Sequence, residues 1–162
     1  MRAFARLSGA PSWGWWMEQG ATTLWEQWNG ADSRIHVMFG DVSAWFYKAL
    51  AGIQPDLQSP GFKHFYVTPH VVGDLTSARG EYRSIRGRIV SDWQVANGEF
   101  QLHLSVPANS SATVSLPIAG EVLETGKPIA QSREVKFLRS EAGRSLFEVG
   151  SGDYRFSGTL VK

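Results

Sequence analysis

The sequence contains no cysteine among its 162 residues. Its absence excludes a disulfide framework, a thiolate metal site and a cysteine nucleophile. No apolar run approaches the roughly 20 residues of a membrane-spanning helix, and residues 1–7 are too short and too interrupted by Arg2 and Arg6 to resemble the apolar part of a secretory signal. With no signal peptide and no membrane segment, the localisation stays open, with the cytoplasm as the default expectation.

An excess of charge of one sign is also lacking, because 16 Lys and Arg residues face 15 Asp and Glu residues. A balanced chain is not built to hold nucleic acid or an anionic membrane through bulk charge, so neither is expected as a partner. The arginines at 79, 83, 86 and 88 are interpreted as a solvated strand face. His64, His70 and His103 lack metal-ligand spacing, so no metal or cofactor is predicted.

Tryptophan, in contrast, is abundant, and six of the seven copies lie in the first 45 residues. Apolar residues recur at four-residue spacing over 41–51, and Gly52 follows where a helix would end, which predicts a helix there. Another helix is predicted over 21–28, and a shorter one over 12–19 behind Pro11. The first part of the chain is therefore expected to be helical and aromatic.

From residue 61 onward the apolar period becomes two, most clearly in residues 100–106. Asn97-Gly98 is a strong hairpin signal and predicts that 88–95 pairs with this strand. Further strands are predicted at 112–116, 133–138, 145–149 and 153–160. Short alternating runs separated by turn residues are typical of an antiparallel β-sandwich.

The predicted fold class is thus α+β, with a short N-terminal helical segment followed by an antiparallel β-sandwich. The segment 55–61 contains two prolines and a glycine and is interpreted as the connector. The predicted domains are residues 1–58 and 59–162. The first is too short to build a deep core alone, so it either packs on other structure or is the remnant of a larger helical domain.

Several motifs, taken in chain order, resemble one family, the bacterial-type α-L-rhamnosidases. They are PSWG (11–14), GATTLWE (20–26), SRIH (33–36), FG (39–40), WFY (45–47), LAGI (50–53), GFKHF (61–65), PH (69–70), GRIVSDW (87–93) and VPANSSA (106–112), with a compatible ending in EVGSGDY (148–154). Each motif alone is weak, but their common order over roughly residues 11–117 is specific.

The resemblance implies an inverting glycoside hydrolase whose catalytic (α/α)6 barrel is followed by a C-terminal β-sandwich. By this resemblance the chain comprises the last helices of the barrel and the sandwich, and Glu26 holds the position of the general base that activates water. His36 matches a histidine that contacts the sugar. The family's general acid belongs to a motif far upstream, and Glu18 lies outside that motif.

Two departures from the family pattern lie beside the sugar position. Ile35 stands where an asparagine is common, and the segment between Glu26 and His36 is shortened. Loss of a polar side chain removes possible hydrogen bonds to sugar hydroxyls, so an altered specificity is expected.

The tryptophans receive two interpretations. Core packing is expected for Trp13, Trp16, Trp45 and Trp93, because an indole buries a large area. Trp25 and Trp28 flank Glu26, where an indole can either pack in the core or stack on the apolar face of a sugar and lower the dielectric around a carboxylate. They are predicted to bind substrate together with His36.

Three hypotheses about function follow. In the first, the chain is a C-terminal fragment of an α-L-rhamnosidase that acts on a rhamnose-containing glycoside in the complete enzyme and is inactive alone, because the general acid is missing. In the second, it is a non-catalytic carbohydrate-binding or docking module. In the third, an upstream barrel polypeptide supplies the missing helices and restores activity.

Overall fold

The structure is a computed structural model that describes residues 9–161. These residues fall into two compact units that meet between Ala44 and Trp45, called here the N-terminal unit and the sandwich unit. The division into domains 1–58 and 59–162 concerns the domains of the family and not these compact units, and it stays a prediction. The segment 55–61, predicted as the connector, lies within the sandwich unit, where it forms the loop between its first two strands.

Within residues 9–44, the N-terminal unit is mostly irregular chain around one short helix. Helix α1, Trp13–Glu18, begins at Ser12, whose Oγ accepts a hydrogen bond from the backbone N–H of Trp15 at 3.0 Å. A 3₁₀ turn follows at Val37–Gly40, and helix α2 covers Val42–Trp45 across the boundary. The prediction of a helix behind Pro11 is confirmed.

The predicted helix over 21–28 is wrong, because these residues form bends, a turn and irregular chain. Their backbone groups bond outside the segment: the N–H of Glu26 donates to Ser33 O at 2.8 Å, and the N–H of His36 donates to Leu24 O at 2.8 Å. Such pairing with a distant segment satisfies groups that a helix would have paired locally. The spacing of apolar residues does not report a partner this far along the chain.

The sandwich unit contains eleven strands within the described residues. They are β1 Ile53–Pro55, β2 His64–Val67, β3 Ser77–Ser84, β4 Gly87–Ala96, β5 Glu99–Val106, β6 Ser111–Leu116, β7 Ile118–Glu124, β8 Lys127–Pro128, β9 Val135–Glu141, β10 Arg144–Val149 and β11 Gly152–Leu160. One sheet has the order β1-β2-β6-β10-β9, and the other has the order β3-β4-β5-β11-β7-β8. All pairs are antiparallel except β2 with β6, and the predicted α+β class with a β-sandwich is confirmed.

The hairpin predicted at Asn97-Gly98 is present. Both residues have positive φ, 52° and 79°, and Ala96 pairs directly with Glu99, which makes a two-residue loop. These angles match a type I′ turn, whose twist suits the flanking strands. The turn fixes the register of β4 against β5 and hence decides which of their side chains face outward.

The core of the sandwich unit lies between the inward faces of the two sheets. Its largest fully buried side chains are Trp93, Phe65, Phe100, Phe147 and Phe156. The rings of Phe147 and Phe156 come from different sheets and stack at 6.2 Å with an interplanar angle of 15°. Strand β5 alternates between buried and more exposed residues along its whole length, as its sequence predicts.

The helix predicted over 41–51 is present, but it is α-helical only over Val42–Trp45 and π-helical after that. After α2 the chain makes a π turn at Phe46–Leu50, which ends with the N–H of Ala51 donating to Phe46 O at 3.0 Å. Two side chains of β4 then cap its last carbonyls: Trp93 Nε1 donates to Leu50 O at 2.7 Å, and Ser91 Oγ donates to Ala51 O at 2.6 Å. Orphan carbonyls at a helix end are thereby satisfied from the sheet.

The expectation of core packing for four tryptophans is confirmed for Trp16 and Trp93, which are buried. Trp13 is half-buried. For Trp45 the expectation is wrong, because 38% of the residue is exposed. Its ring lies edge-on to that of Phe46 at 5.9 Å, so it contributes to an aromatic surface rather than to the core.

Candidate functional site

Glu26 and His36 lie on two segments of the N-terminal unit that run side by side. Besides the two backbone bonds that pair 24–26 with 33–36, Thr23 Oγ1 donates to Arg34 O and Gln27 Nε2 donates to Asp32 Oδ2. The chain reverses between the segments through Gly30 and Asp32, which have positive φ of 76° and 59°. The structure thus brings the segments of the predicted base and the predicted sugar-binding histidine together.

The carboxylate of Glu26 is oriented by the opposite segment. Its Oε2 accepts a hydrogen bond from the backbone N–H of Ser33 at 3.2 Å, and Oε1 has no hydrogen-bond partner among residues 9–161. Glu26 is half-buried. The side chain is therefore held at one oxygen, and the other oxygen is available to a water molecule or a ligand.

The imidazole of His36 presents a different environment. Its Nδ1 is buried and has no hydrogen-bond partner within the described part of the chain. A buried polar atom without a partner costs free energy that a hydrogen bond would recover. Ile35, which precedes it, is 80% exposed, so an apolar side chain projects to the surface next to the histidine.

An aromatic cluster supports both segments from one side. Its members are Trp13, Trp15, Trp16, Trp25, Trp28 and Phe39. Trp16 is the centre, with its ring 4.5 Å from Trp28 and 5.7 Å from Trp25, and its Nε1 donates to Trp28 O at 2.9 Å. The concentration of tryptophan in the sequence thus builds a small core where residues 9–44 contain little regular secondary structure.

The two indoles beside Glu26 differ in exposure. Trp25 is only 6% exposed, and the guanidinium carbon of Arg34 lies 5.0 Å from the centre of its ring. A Cβ on Gly30 would approach this ring to 2.8 Å, so the turn needs glycine there. Trp28 is half-buried and offers more of its surface to a ligand than Trp25 does.

An apolar hollow of about 370 Å³ opens on the same unit. Its lining includes Trp13, Trp16, Met17, Leu24 and Phe39, and neither Glu26 nor His36 belongs to it. Met17 is 72% exposed at its edge. Apolar surface of this kind commonly marks a contact with other protein.

A second hollow, of about 530 Å³, lies on the outer face of the six-stranded sheet in the sandwich unit. No function was predicted for the residues that line this hollow. The polar positions of β4, β5 and β11 were visible in the alternating pattern, but the order that places β11 beside β5 was not. This order joins residues about 50 positions apart, which local patterns do not report.

The described residues contain no cluster of three or more potential metal ligands. Within residues 9–161, no helix is long and apolar enough to cross a membrane.

Comparisons with known proteins identify one family. The model of the bacterial α-L-rhamnosidase six-hairpin glycosidase domain matches residues 1–50, and that of the bacterial α-L-rhamnosidase C-terminal domain matches residues 52–129. An α-L-rhamnosidase of Streptomyces avermitilis is 34% identical over 158 residues, which cover 91% of this chain and 15% of that protein. One of Formosa agariphila is 29% identical over 159 residues, covering 90% and 17%.

Solved structures give the same result. The crystal structure of the Streptomyces avermitilis α-L-rhamnosidase complexed with L-rhamnose superposes with a TM-score of 0.78 at 32% identity, covering 98% of this chain and 16% of that one. The α-L-rhamnosidase from Dictyoglumus thermophilum gives 0.76 at 34% identity, covering 96% and 18%. The chain thus spans less than a fifth of the length of these relatives. It belongs to the bacterial α-L-rhamnosidase family and corresponds to a C-terminal region of these proteins.

Proposed function

We propose that this region serves in an enzyme that hydrolyses terminal α-L-rhamnosyl residues with inversion, and that Glu26 is its general base. The observation that carries the proposal is the backbone pairing of 24–26 with 33–36, which holds Glu26 and His36 on adjacent segments of the N-terminal unit. An inverting hydrolase needs a base fixed beside the water that attacks the sugar. The bond from Ser33 N–H to Oε2 supplies such a fixation and leaves Oε1 for the water.

The remaining site residues have supporting roles in this proposal. His36 binds a sugar hydroxyl through a ring nitrogen, since its Nδ1 has no hydrogen-bond partner within residues 9–161. Trp28 offers an indole face to the apolar side of the sugar. Trp25 is buried, so it acts by holding the segment of Glu26 and by excluding water near the carboxylate.

One carboxylate does not complete the reaction. An inverting enzyme also needs an acid, about 6.5–9.5 Å from the base, that protonates the leaving oxygen. We place this acid outside the 162 residues, and Glu18, an exposed residue of α1, is not assigned the role. A polypeptide of these 162 residues is accordingly expected to be inactive alone.

The test uses an aryl α-L-rhamnoside with three samples. The 162-residue polypeptide should release no phenol, a polypeptide with the rest of the six-hairpin domain should also release none, and a mixture of the two should be active. Proton NMR of the first product formed by the active sample should show β-L-rhamnose. Turnover by the 162-residue polypeptide alone would overturn the proposal that the general acid lies outside it. Initial release of α-L-rhamnose would overturn the proposal that hydrolysis inverts the anomeric configuration.

A second candidate function, a docking module, is favoured by the apolar hollow and by exposed Met17, Val37 and Met38 in the N-terminal unit. The occupant would be an upstream barrel polypeptide, since apolar surfaces of packed helices bury one another. Titration calorimetry separates this candidate from sugar binding. Heat with the barrel polypeptide and none with millimolar L-rhamnose supports docking, and the reverse result supports a sugar-binding module.

A further inference from the structure

The outer face of the six-stranded sheet carries two rows of polar side chains across three adjacent strands. Their order follows from the register, in which Asp92 pairs with His103 and His103 with Arg155, while Gln94 pairs with Gln101 and Gln101 with Ser157. The intervening residues, such as Trp93, Leu102 and Phe156, are buried on the opposite face. All six polar residues therefore point away from the core.

These six residues line one hollow of about 530 Å³, a volume typical of small-molecule sites. The turn between β7 and β8 closes one side of it through Thr125 and Gly126, which have positive φ of 48° and 76°. The hollow belongs to the sandwich unit alone, far in sequence from the site proposed around Glu26. Its proposed role does not depend on that site.

Most of the charged and amide groups in the hollow already have one partner. Asp92 Oδ2 accepts from Arg79 Nη1 at 2.6 Å, and Gln94 Nε2 donates to Gln101 Oε1 at 2.8 Å. His103 Nε2 faces the carboxylate of Asp153 at 3.5 Å. These contacts hold the side chains in place and leave the amide N–H groups of Gln101 and the amide oxygen of Gln94 directed at solvent.

Arg155 is the exception in this set. Its guanidinium has no hydrogen bond and no ion pair within residues 9–161, and the residue is exposed in the row with His103. An arginine offers a planar set of donors that fits a carboxylate through two parallel bonds. The hollow therefore combines a free carboxylate-binding group with amide and hydroxyl groups that suit a hydroxylated ligand.

We infer that this hollow, here called the sheet-face site, binds an acidic oligosaccharide, with a uronic acid carboxylate on Arg155 and sugar hydroxyls on Gln94, Gln101 and Ser157. The guanidinium of Arg155 is one cation without a partner within residues 9–161, so the ligand is expected to carry one carboxylate. Polyphosphates and nucleic acid fit poorly, because the carboxylate of Asp92 within the row and that of Asp153 beside His103 repel further negative charge. Apolar ligands fit poorly because the aromatic and aliphatic residues of these strands face the core.

The probe for the test is an oligosaccharide of three or four sugars that carries a single galacturonic acid residue, and its control is the methyl ester of that acid, which keeps the sugar backbone and removes the charge. Two-dimensional NMR of the 162-residue protein should show acid-dependent shifts in the amides of residues 92–94, 101–103, 125–126 and 155–157. The ester should bind at least about tenfold more weakly, the loss expected for one charge-assisted pair. Absence of binding, or equal binding of acid and ester, would overturn the inference.

Two variants test whether Arg155 is the residue that binds the ligand carboxylate. Arg155→Gln should weaken binding of the acid about tenfold and leave binding of the ester unchanged. Arg83→Gln is the matched control, because Arg83 is an exposed arginine on β3 of the same sheet and outside the hollow, and it should bind like the parent protein. Equal losses in the two variants would overturn the site. Thermal unfolding of both variants checks that the sandwich is intact.

Discussion

The N-terminal unit and the sandwich unit solve the problem of burying apolar residues in different ways. The sandwich unit encloses its aromatic side chains between two sheets of five and six strands. Among residues 9–44 the N-terminal unit has one six-residue helix besides the helix at the boundary, and its buried contacts are mainly those between tilted indole rings. Both units leave some large apolar side chains exposed, among them Met17 and Ile35 in the N-terminal unit and Leu57 and Ile85 in the sandwich unit. The sheets pair their backbone groups regularly around the buried side chains, whereas the N-terminal unit has little such pairing among residues 9–44 and relies on contacts between large rings.

The largest expected effect concerns the proposed catalytic role of the N-terminal unit. In an active assembly, Glu26→Gln should lower kcat about 10³-fold with a small change in KM, because the amide cannot take the proton of the attacking water. Steady-state hydrolysis of an aryl α-L-rhamnoside measures it. Glu18→Gln makes the same chemical change on α1 and should keep the parent rate. A Glu26→Gln enzyme with more than a tenth of that rate would remove Glu26 from the mechanism.

The next effect tests how two side chains of β4 stabilise the π turn at Phe46–Leu50 through hydrogen bonds. Trp93→Phe removes the bond to Leu50 O, leaves that carbonyl without its partner and reduces the volume of a buried side chain. The free energy of unfolding should fall by about 2–3 kcal/mol. Ser91→Ala, which removes only the bond to Ala51 O, should cost about 1 kcal/mol. Urea unfolding measures both, and a loss for Ser91→Ala equal to that for Trp93→Phe would contradict the distinction.

A third prediction concerns the relative stability of the two units in the 162-residue polypeptide. Five of the seven tryptophans belong to the N-terminal unit, so tryptophan fluorescence reports mainly on it, and far-UV circular dichroism reports on the strands. Because the N-terminal unit buries less apolar surface, its fluorescence transition should occur at lower urea than the strand transition. Coincident transitions would mean that the units unfold together.

The smallest expected effect is a pH dependence in the sandwich unit. Partial burial, with the nearby charge of Arg144, lowers the pKa of His70 from its ordinary 6.5. The folded state therefore favours the neutral imidazole, so its contribution is complete above pH 6.5 and is lost as the pH falls through the lowered value. His70→Gln should reduce by a small amount the drop in unfolding midpoint between pH 8 and pH 5. An unchanged drop would show that His70 does not take part.

Local signals in the sequence predicted much of the sandwich unit. The alternation in 100–106 and the Asn97-Gly98 turn together fix β4, β5 and their register, because both depend on neighbours in the chain. The parallel pairing of β2 with β6 was not predictable in this way, since it joins His64 to Ser111. Long-range pairing is a property of the folded chain, and periodicity does not encode it.

The N-terminal unit was less predictable for a related reason. Spacing favours a helix over 21–28, but the backbone of Glu26 pairs with Ser33 and the indoles pack into one cluster. The roles of Glu26 and His36 came from resemblance to a family, because one carboxylate among ordinary neighbours carries no chemical signature of its own. Trp45 was misjudged because burial depends on what covers a residue as well as on its size.

The close approach of Trp16 to Trp28 has an optical consequence. Two indole rings 4.5 Å apart are near enough for their electronic transitions to couple, so the pair should add an exciton signal to the circular dichroism spectrum of the native chain. This signal requires a fixed mutual orientation of the two transition dipoles and disappears when the rings rotate independently. The protein therefore carries an intrinsic spectroscopic label for the integrity of the unit that holds Glu26.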